Sequence, residues 1–334
     1  MLPDDAHPFD LHCWYTSWWE AFGTTNELMV CTVRRAGRLA AVFPLWVEGR
    51  LLKSFVNGHS PMSRPLATDR EAMDELAQAV MSQAGRRRLE LLGLPGEDPS
   101  IERLETAAQA ASKMSLVEPA YASPFVDTRG DLDMWREKNK RSWKSVEPRR
   151  RKMNREYEAR FVLVEPPTAL EAELDDGLRI EASGWKGREG TAIESAPETA
   201  TFYRSVARAF HRRDELRLSR VVLDDIAVSF AFCLLYRRRL YLLKSGYDES
   251  YRRLAPGLVL RLGMIERCFE LGIDALDLLG DEVGWKTRFA TGNRPHVNFR
   301  TYPSSPIGYL RHRYRAQLRP GLKRVYRRWR PVHR

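Results

Sequence analysis

The run RRLAPGLVL from Arg252 joins two guanidinium groups to a Pro-Gly pair at the start of an apolar helical stretch. The first turn of a helix leaves N–H groups unpaired, and together with the helix dipole these hold phosphate. Pro256 gives up only an N–H that has no helical partner. Gly257 lets a pyrophosphate approach bare backbone beside Leu258, and Arg252 and Arg253 add charge. Two Trp-Lys pairs, Trp185-Lys186 in GWKG and Trp285-Lys286 in GWK, could bind sugar rings and phosphate, or could place Trp in the core and Lys in solvent. No His joins a Ser or Cys in a nucleophile motif, so covalent catalysis is not expected. Cys13, Cys31, Cys233 and Cys268 are far apart and form no CxxC, which predicts buried free thiols rather than a disulfide framework or a zinc site.

These residues need elements to position them. The strand Leu240–Tyr247, a short loop and a helix from Gly257 to Glu270 form one β-loop-α unit, with Pro256 in the first turn and Gly272 at the end. An apolar strand, Ala275–Leu279, and a short helix near Trp285–Phe289 follow. Upstream, Leu216–Leu223 and Ile226–Tyr236 alternate across Asp224-Asp225, a hairpin signal. Helices are expected over Asp10–Phe22, Asp69–Ala84 with Asp69 as cap, Pro99–Ala111, Leu132–Ala159, Thr168–Ser183 and Pro197–Arg213. Strands are expected over Leu28–Val33, Leu39–Val47, Leu51–Val56, Leu89–Gly93, Tyr121–Val126, Phe161–Glu165 and Val297–Tyr302.

Of 334 residues 43% are hydrophobic, and the longest apolar run, Phe230–Tyr236, has the length of a strand rather than of a membrane span. The N-terminus, MLPDDAHPFDLH, carries acids and no apolar signal region, which predicts a cytoplasmic protein. The net charge of +11 is concentrated: residues 306–334 hold ten basic and no acidic residues, and residues 136–160 hold eleven basic against four acidic. A mildly acidic body with two basic segments favours an anionic partner. In the tail, Tyr309, Leu310, Tyr314, Leu318, Leu322, Val325, Tyr326 and Trp329 recur at helical steps between the basic residues, predicting an amphipathic helix at an anionic membrane rather than on nucleic acid.

Fragments recur in the same order in the two halves. GRLAAVFPL from Gly37 resembles DIAVSFAF from Asp225, LLKS stands at Leu51 and at Leu242, and RLELLG from Arg88 resembles ALDLLG from Ala275. The order hairpin, strand, helix, strand in each half predicts a duplicated mixed α/β unit. Boundaries are expected at 1–128, 129–305 and 306–334.

Three runs, EASGWKGREGTAIES from Glu181, YLLKSGYDESYRRLAPGLVL from Tyr241 and DLLGDEVGWKTRF from Asp277, resemble GNAT-type acyltransferases of the BioF2-like and cellulose-biosynthesis CelD/BcsL group. These are relatives of the Fem aminoacyltransferases, which are tandem GNAT domains. With WWEAFG and AAVFPLW the resemblance spans roughly residues 10–300. It implies an α/β fold of tandem GNAT-like domains with splayed central strands, the first without cofactor and the second with the acyl-donor site.

The function implied is N- or O-acyl transfer from acetyl-CoA or another acyl-CoA, without a metal, to an amine, amino sugar or polysaccharide precursor. Alternatives are aminoacyl-tRNA-dependent transfer of the Fem kind, or a non-catalytic basic adaptor on membrane or nucleic acid. The implied donor site is Lys244, Ser245, Gly246, Arg252, Arg253, Ala255, Gly257 and Leu258. Ala255 stands where the family pattern (R/Q)xxGx(G/A) expects its first glycine. Backbone N–H groups at Ser245–Tyr247 would polarise the thioester, Tyr247 would protonate the thiolate, and Glu181, Asp281 or Glu282 would be the base. Trp185, Lys186, Trp285 and Lys286 would face the acceptor.

Overall fold

The computed structural model describes residues 2–23, 25–183 and 193–318. In chain order the first elements are α1 (His12–Phe22), β1 (Glu27–Arg35), β2 (Arg38–Glu48), β3 (Leu51–Lys53), β4 (Leu66–Ala67), α2 (Arg70–Ala84), β5 (Arg88–Pro95), α3 (Ser100–Ala110) and β6 (Lys113–Asp127). Then come α4 (Leu132–Lys138), α5 (Lys140–Glu156), β7 (Ala159–Glu165), α6 (Leu170–Ser183), α7 (Pro197–His211), β8 (Leu216–Leu223), β9 (Ile226–Tyr236) and β10 (Arg239–Tyr247). The last are α8 (Pro256–Glu270), β11 (Ala275–Asp277), α9 (Gly284–Thr287), β12 (Gly292–Pro303) and α10 (Pro306–Arg313).

The chain divides into two compact units that are not contiguous in sequence. One takes the residues up to Asp10, Thr25–Tyr121 and those from Pro295 on, and the other takes Leu11–Thr24 and Ala122–Arg294. The sequence reading drew its cuts at 128 and 305, and local pattern explains why the division differs. α1 joins the second unit because its aromatic face packs on α7: Trp14 meets Phe202 edge-on at 5.1 Å, and Phe22 meets the same ring at 5.4 Å. Most of β12 joins the first unit because it pairs with β5, Phe299 opposite Leu91, while Arg300 reaches Glu90 at 2.7 Å. A strand's alternation specifies its faces, not its neighbour.

In the first unit β1 and β2 form a hairpin, β2 turns into β3, α2 crosses, and β5 lies parallel to β3 with Leu51 opposite Arg88. The Asp69 side chain caps α2 by accepting from the Ala72 N–H at 2.8 Å. In the second unit β8 and β9 form a hairpin, β9 turns into β10, α8 crosses, and β11 lies parallel to β10 with Arg239 opposite Ala275. The same path is traced twice, as the recurring fragments predict. Asp224 and Asp225 hold φ of +48° and +66°, so their tolerance of the left-handed region closes the β8–β9 turn.

Each unit has its own core. In the second, Val259, Leu262 and Ile265 of α8 are fully buried with Val228, Leu240 and Leu276 of the strands. Each such side chain contributes roughly 1.5–3 kcal/mol. Cys31, Cys233 and Cys268 are buried free thiols, and burial pushes them all above the ordinary thiol range.

The two basic segments differ from expectation. The basic helix predicted over Leu132–Ala159 is α4 and α5, parted at Asn139 and ended by Glu156. Its charge is partly used inside the unit: Arg136 and Arg150 hold the buried Glu266 at 2.8 and 2.5 Å. The tail predicted to begin at 306 is tied down at its start, where Arg315 pairs with Glu118 at 3.0 Å and His312 meets the Ser115 carbonyl at 3.2 Å.

Candidate functional site

The site grows out of the parting of β10 and β11. The two strands pair only from Arg239–Tyr241 opposite Ala275–Asp277. Beyond Asp277 the Leu278 N–H turns away to the Pro124 carbonyl at 3.0 Å. Leu279 and Gly280, at φ of +49° and +60°, then reverse the chain. β10 runs on to Tyr247 with β9 on one side only, and its register shifts between Leu242 and Lys244, leaving a bulge at Leu243. This is the splay expected of Leu240–Tyr247 and Ala275–Leu279. The backbone of Lys244, Ser245 and Gly246 thus borders an open edge.

After Tyr247, Asp248 caps a short 3-10 turn over Glu249–Leu254 by accepting from the Ser250 N–H at 2.9 Å. Arg252 and Arg253 project from this turn and are exposed. Ala255 follows at φ +48°, ψ +53°, the left-handed region that favours glycine. Its carbonyl accepts from Leu258 and Val259 at 3.0 and 3.2 Å, so it closes the first turn of α8. The position where the family pattern has glycine therefore asks for glycine's backbone, and Ala255 adopts it at a cost of roughly 1–2 kcal/mol. A Cβ on Gly257 would lie 3.3 Å from the Tyr247 ring, which shields this helix start.

Glu181, near the end of α6, is 2% exposed, and its Oε2 accepts the Ile193 N–H at 2.9 Å. It comes against the strand because Gly246 has no side chain: a Cβ there would stand 2.7 Å from the Glu181 Cα. The glycine predicted to face the donor is thus the one that lets the carboxylate-bearing helix touch β10. The neighbouring Tyr203 is fully buried, its hydroxyl pushed well above the ordinary range by burial and by the Glu181 charge. Lys244 Nζ lies 5.5 Å from the centre of that ring.

Asp281 and Glu282 are exposed, and Glu282 accepts from the Asn293 amide. The buried carboxylate at the end of β11 is Asp277. Burial raises its pKa against the pull of Arg294, which donates to its Oδ2, and of the Leu279 N–H at 3.0 Å. Trp285 is 42% exposed. Lys286 donates to the Leu279 carbonyl, and burial together with the Arg261 charge lowers its pKa to about 8. Trp185 and Lys186 lie outside the described residues. Tyr247 is exposed at the end of β10.

Sequence reasoning missed Arg261, Asp277 and Arg294. A signal existed for two of them, since Arg261 interrupts the apolar run LVLRLGMI and Asp277 interrupts ALDLLG.

Residues 140–287, which contain β10, α8 and β11 but not Arg294, match the model of the acetyltransferase (GNAT) domain family. The chain carries a GNAT acyltransferase domain. No curated protein matches it in sequence. The GNAT fold is shared with the C-terminal domain (DUF2156) of a putative lysylphosphatidylglycerol synthetase from Agrobacterium fabrum, at a TM-score of 0.57 and 12% identity over 89% of each chain. It is shared with FemX at 0.57 and 11%, over 88% of this chain and 92% of that one. L-PGS from Bacillus licheniformis gives 0.55 and 10%, over 89% and 92%. Among the described residues no helix is long and apolar enough to cross a membrane.

Proposed function

We propose that the GNAT domain transfers an acyl group from acetyl-CoA or another acyl-CoA directly to an amine or hydroxyl of an amino sugar, polysaccharide or other cell-envelope precursor. The observation that carries this reading is the unpaired edge of β10 leading through Arg252 and Arg253 to the start of α8. The residues present suit such a donor. The Gly257 N–H, with no side chain in front of it, would meet a pyrophosphate while Leu258 packs behind, its own N–H being taken by the Ala255 carbonyl at 3.0 Å, and the two arginines add charge. Lys244, Ser245 and Gly246 would line its pantetheine arm.

The acyl-CoA supplies a thioester whose carbonyl is open to attack. Backbone N–H groups at Ser245–Tyr247 polarise that carbonyl as the acceptor's lone pair forms the new bond. Glu181 takes the proton that the acceptor nitrogen or oxygen loses, and Tyr247 gives its hydroxyl proton to the departing thiolate. Trp285 and Lys286 face the acceptor. Glu181 is preferred to Asp281 and Glu282 because it alone of the three is buried against β10.

Gly257→Glu is expected to abolish acetyl-CoA binding in calorimetry while leaving the melting transition in place, because it sets an anion where phosphate approaches yet suits a helix first turn. Unchanged affinity would exclude this helix start as the phosphate site. The second reading, aminoacyl-tRNA-dependent transfer, is favoured by the fold shared with FemX and by Ala255 in place of glycine. Retention of tRNA but not CoA in native mass spectrometry of the purified protein would select it.

A peripheral contact with the inner face of the cytoplasmic membrane belongs to the same reading. Ile307, Tyr309, Leu310 and Tyr314 are exposed beside Arg311 and Arg313. Because Arg315 and His312 tie residues 306–318 to the first unit, the cut that tests it falls after Leu318. Removing residues 319–334 takes away seven basic side chains, at about 1 kcal/mol each beside anionic lipid. Sedimentation with anionic vesicles should fall at least tenfold. Equal binding of the full and shortened chains, or no preference over neutral vesicles, excludes the membrane contact.

A further inference from the structure

Three arginines are buried among the described residues: Arg64, Arg261 and Arg300. Arg64 pairs with Asp5, Asp10 and Asp98, and Arg300 pairs with Glu90 and Glu118. Arg261 differs. It sits in the second turn of α8, 6% exposed, and among the described residues no carboxylate acts on it. Its Nη2 reaches only the Ser245 Oγ, at 3.4 Å, while its Nε and Nη1 have no hydrogen-bond partner. The guanidinium carbon lies 4.2 Å from the centre of the Trp285 ring, and Lys286 Nζ lies 5.4 Å from the same ring. Asp277 is held by Arg294, and with Asp281 it acts on Lys286 but not on Arg261.

A buried guanidinium with two idle donors, beside a second cation, lacks its anion. We propose that Arg261 and Lys286, with Trp285 over them, form a subsite for a carboxylate or phosphate group carried by one of the two substrates of acyl transfer. The guanidinium fork suits a bidentate anion, and Trp285, being partly exposed, forms the wall through which the group enters. The same two cations oppose a protonated aminoacyl α-amino group at this place. The anion belongs either to a dicarboxylic acyl donor or to the acceptor, and it is separate from the phosphates at the start of α8.

This inference rests on the reading of the β10 edge as the acyl-transfer site, and the test separates the two. Succinate and inorganic phosphate are titrated against tryptophan fluorescence, with Trp285→Phe assigning the signal. Acetyl-CoA and succinyl-CoA are compared by calorimetry. In the wild type, succinate or phosphate should change the Trp285 signal, and Arg261→Gln should weaken that binding at least tenfold, with Arg261→Lys intermediate. The anion response should persist in Gly257→Glu.

Succinyl-CoA binding at least tenfold tighter than acetyl-CoA assigns the anion to the donor. Equal affinity, together with succinate or phosphate binding on top of bound acetyl-CoA, assigns it to the acceptor. Acetyl-CoA binding with no anion response in the folded wild type overturns the subsite alone. An anion response without CoA binding overturns the donor reading and leaves the subsite standing.

Discussion

Glu181→Gln is expected to lower turnover by about two or more orders of magnitude at saturating acceptor and to leave acetyl-CoA affinity within about twofold, the scale of losing a general base. The carboxylate is 2% exposed and accepts the Ile193 N–H at 2.9 Å. A glutamine oxygen keeps that acceptor and the side-chain volume, and the melting transition separates a loss of structure from a loss of the base. Asp281→Asn and Glu282→Gln serve as comparisons from the other side, both exposed and one already engaged by Asn293. Full rate in Glu181→Gln with loss in either of these moves the base to the end of β11. Full rate in all three leaves proton removal to water.

Arg294→Met is expected to cost about 3–5 kcal/mol of folding stability at pH 7, because it takes the hydrogen-bonded cation from the buried Asp277 carboxylate. Asp277 then keeps one hydrogen bond, from the Leu279 N–H at 3.0 Å, and the more distant charges of Arg239 and Lys286, and its side chain is 4% exposed. The pH dependence follows from the raised pKa of Asp277 in the folded chain. Between its unfolded value and that raised one, the native state binds the extra proton, so stability is lost as pH rises through the folded pKa and is recovered below it. Without Arg294 that dependence steepens, and the penalty shrinks toward pH 4, where a protonated carboxyl needs no cation. Urea unfolding of both proteins at pH 7 and pH 4 measures it. A penalty independent of pH, or none that Asp277→Asn relieves in the double variant, excludes an electrostatic cause.

Signals that act over a few residues were legible in the sequence. The Asp224-Asp225 turn, the Asp69 cap and the Pro256 helix start each supply a local backbone preference, and each stands where it was expected. Partners distant in sequence were not legible. β6 was expected only over Tyr121–Val126, yet it runs from Lys113 to Asp127. At the site, the helix start and the open strand followed from a local motif. The cation at Arg261 and the Asp277–Arg294 pair depend on which elements meet in space. Gly246 shows the limit most clearly: its absent side chain serves a helix more than sixty residues earlier in the chain.

The placement of β12 governs how this chain can mature as it leaves the ribosome. The Leu89 N–H of β5 finds its acceptor, the Thr301 hydroxyl, 212 residues later. Until the last strand emerges, β5 presents a bare hydrogen-bonding edge built from Leu89, Leu91 and Leu94, all of them buried in the finished molecule. The first unit is therefore translated early and completed late, and nascent chains stalled before residue 295 carry a sticky, half-built sheet that chaperones must cover. A release site or a split placed between residues 294 and 303 would yield an N-terminal fragment that holds the whole second unit and is still prone to aggregation through the first.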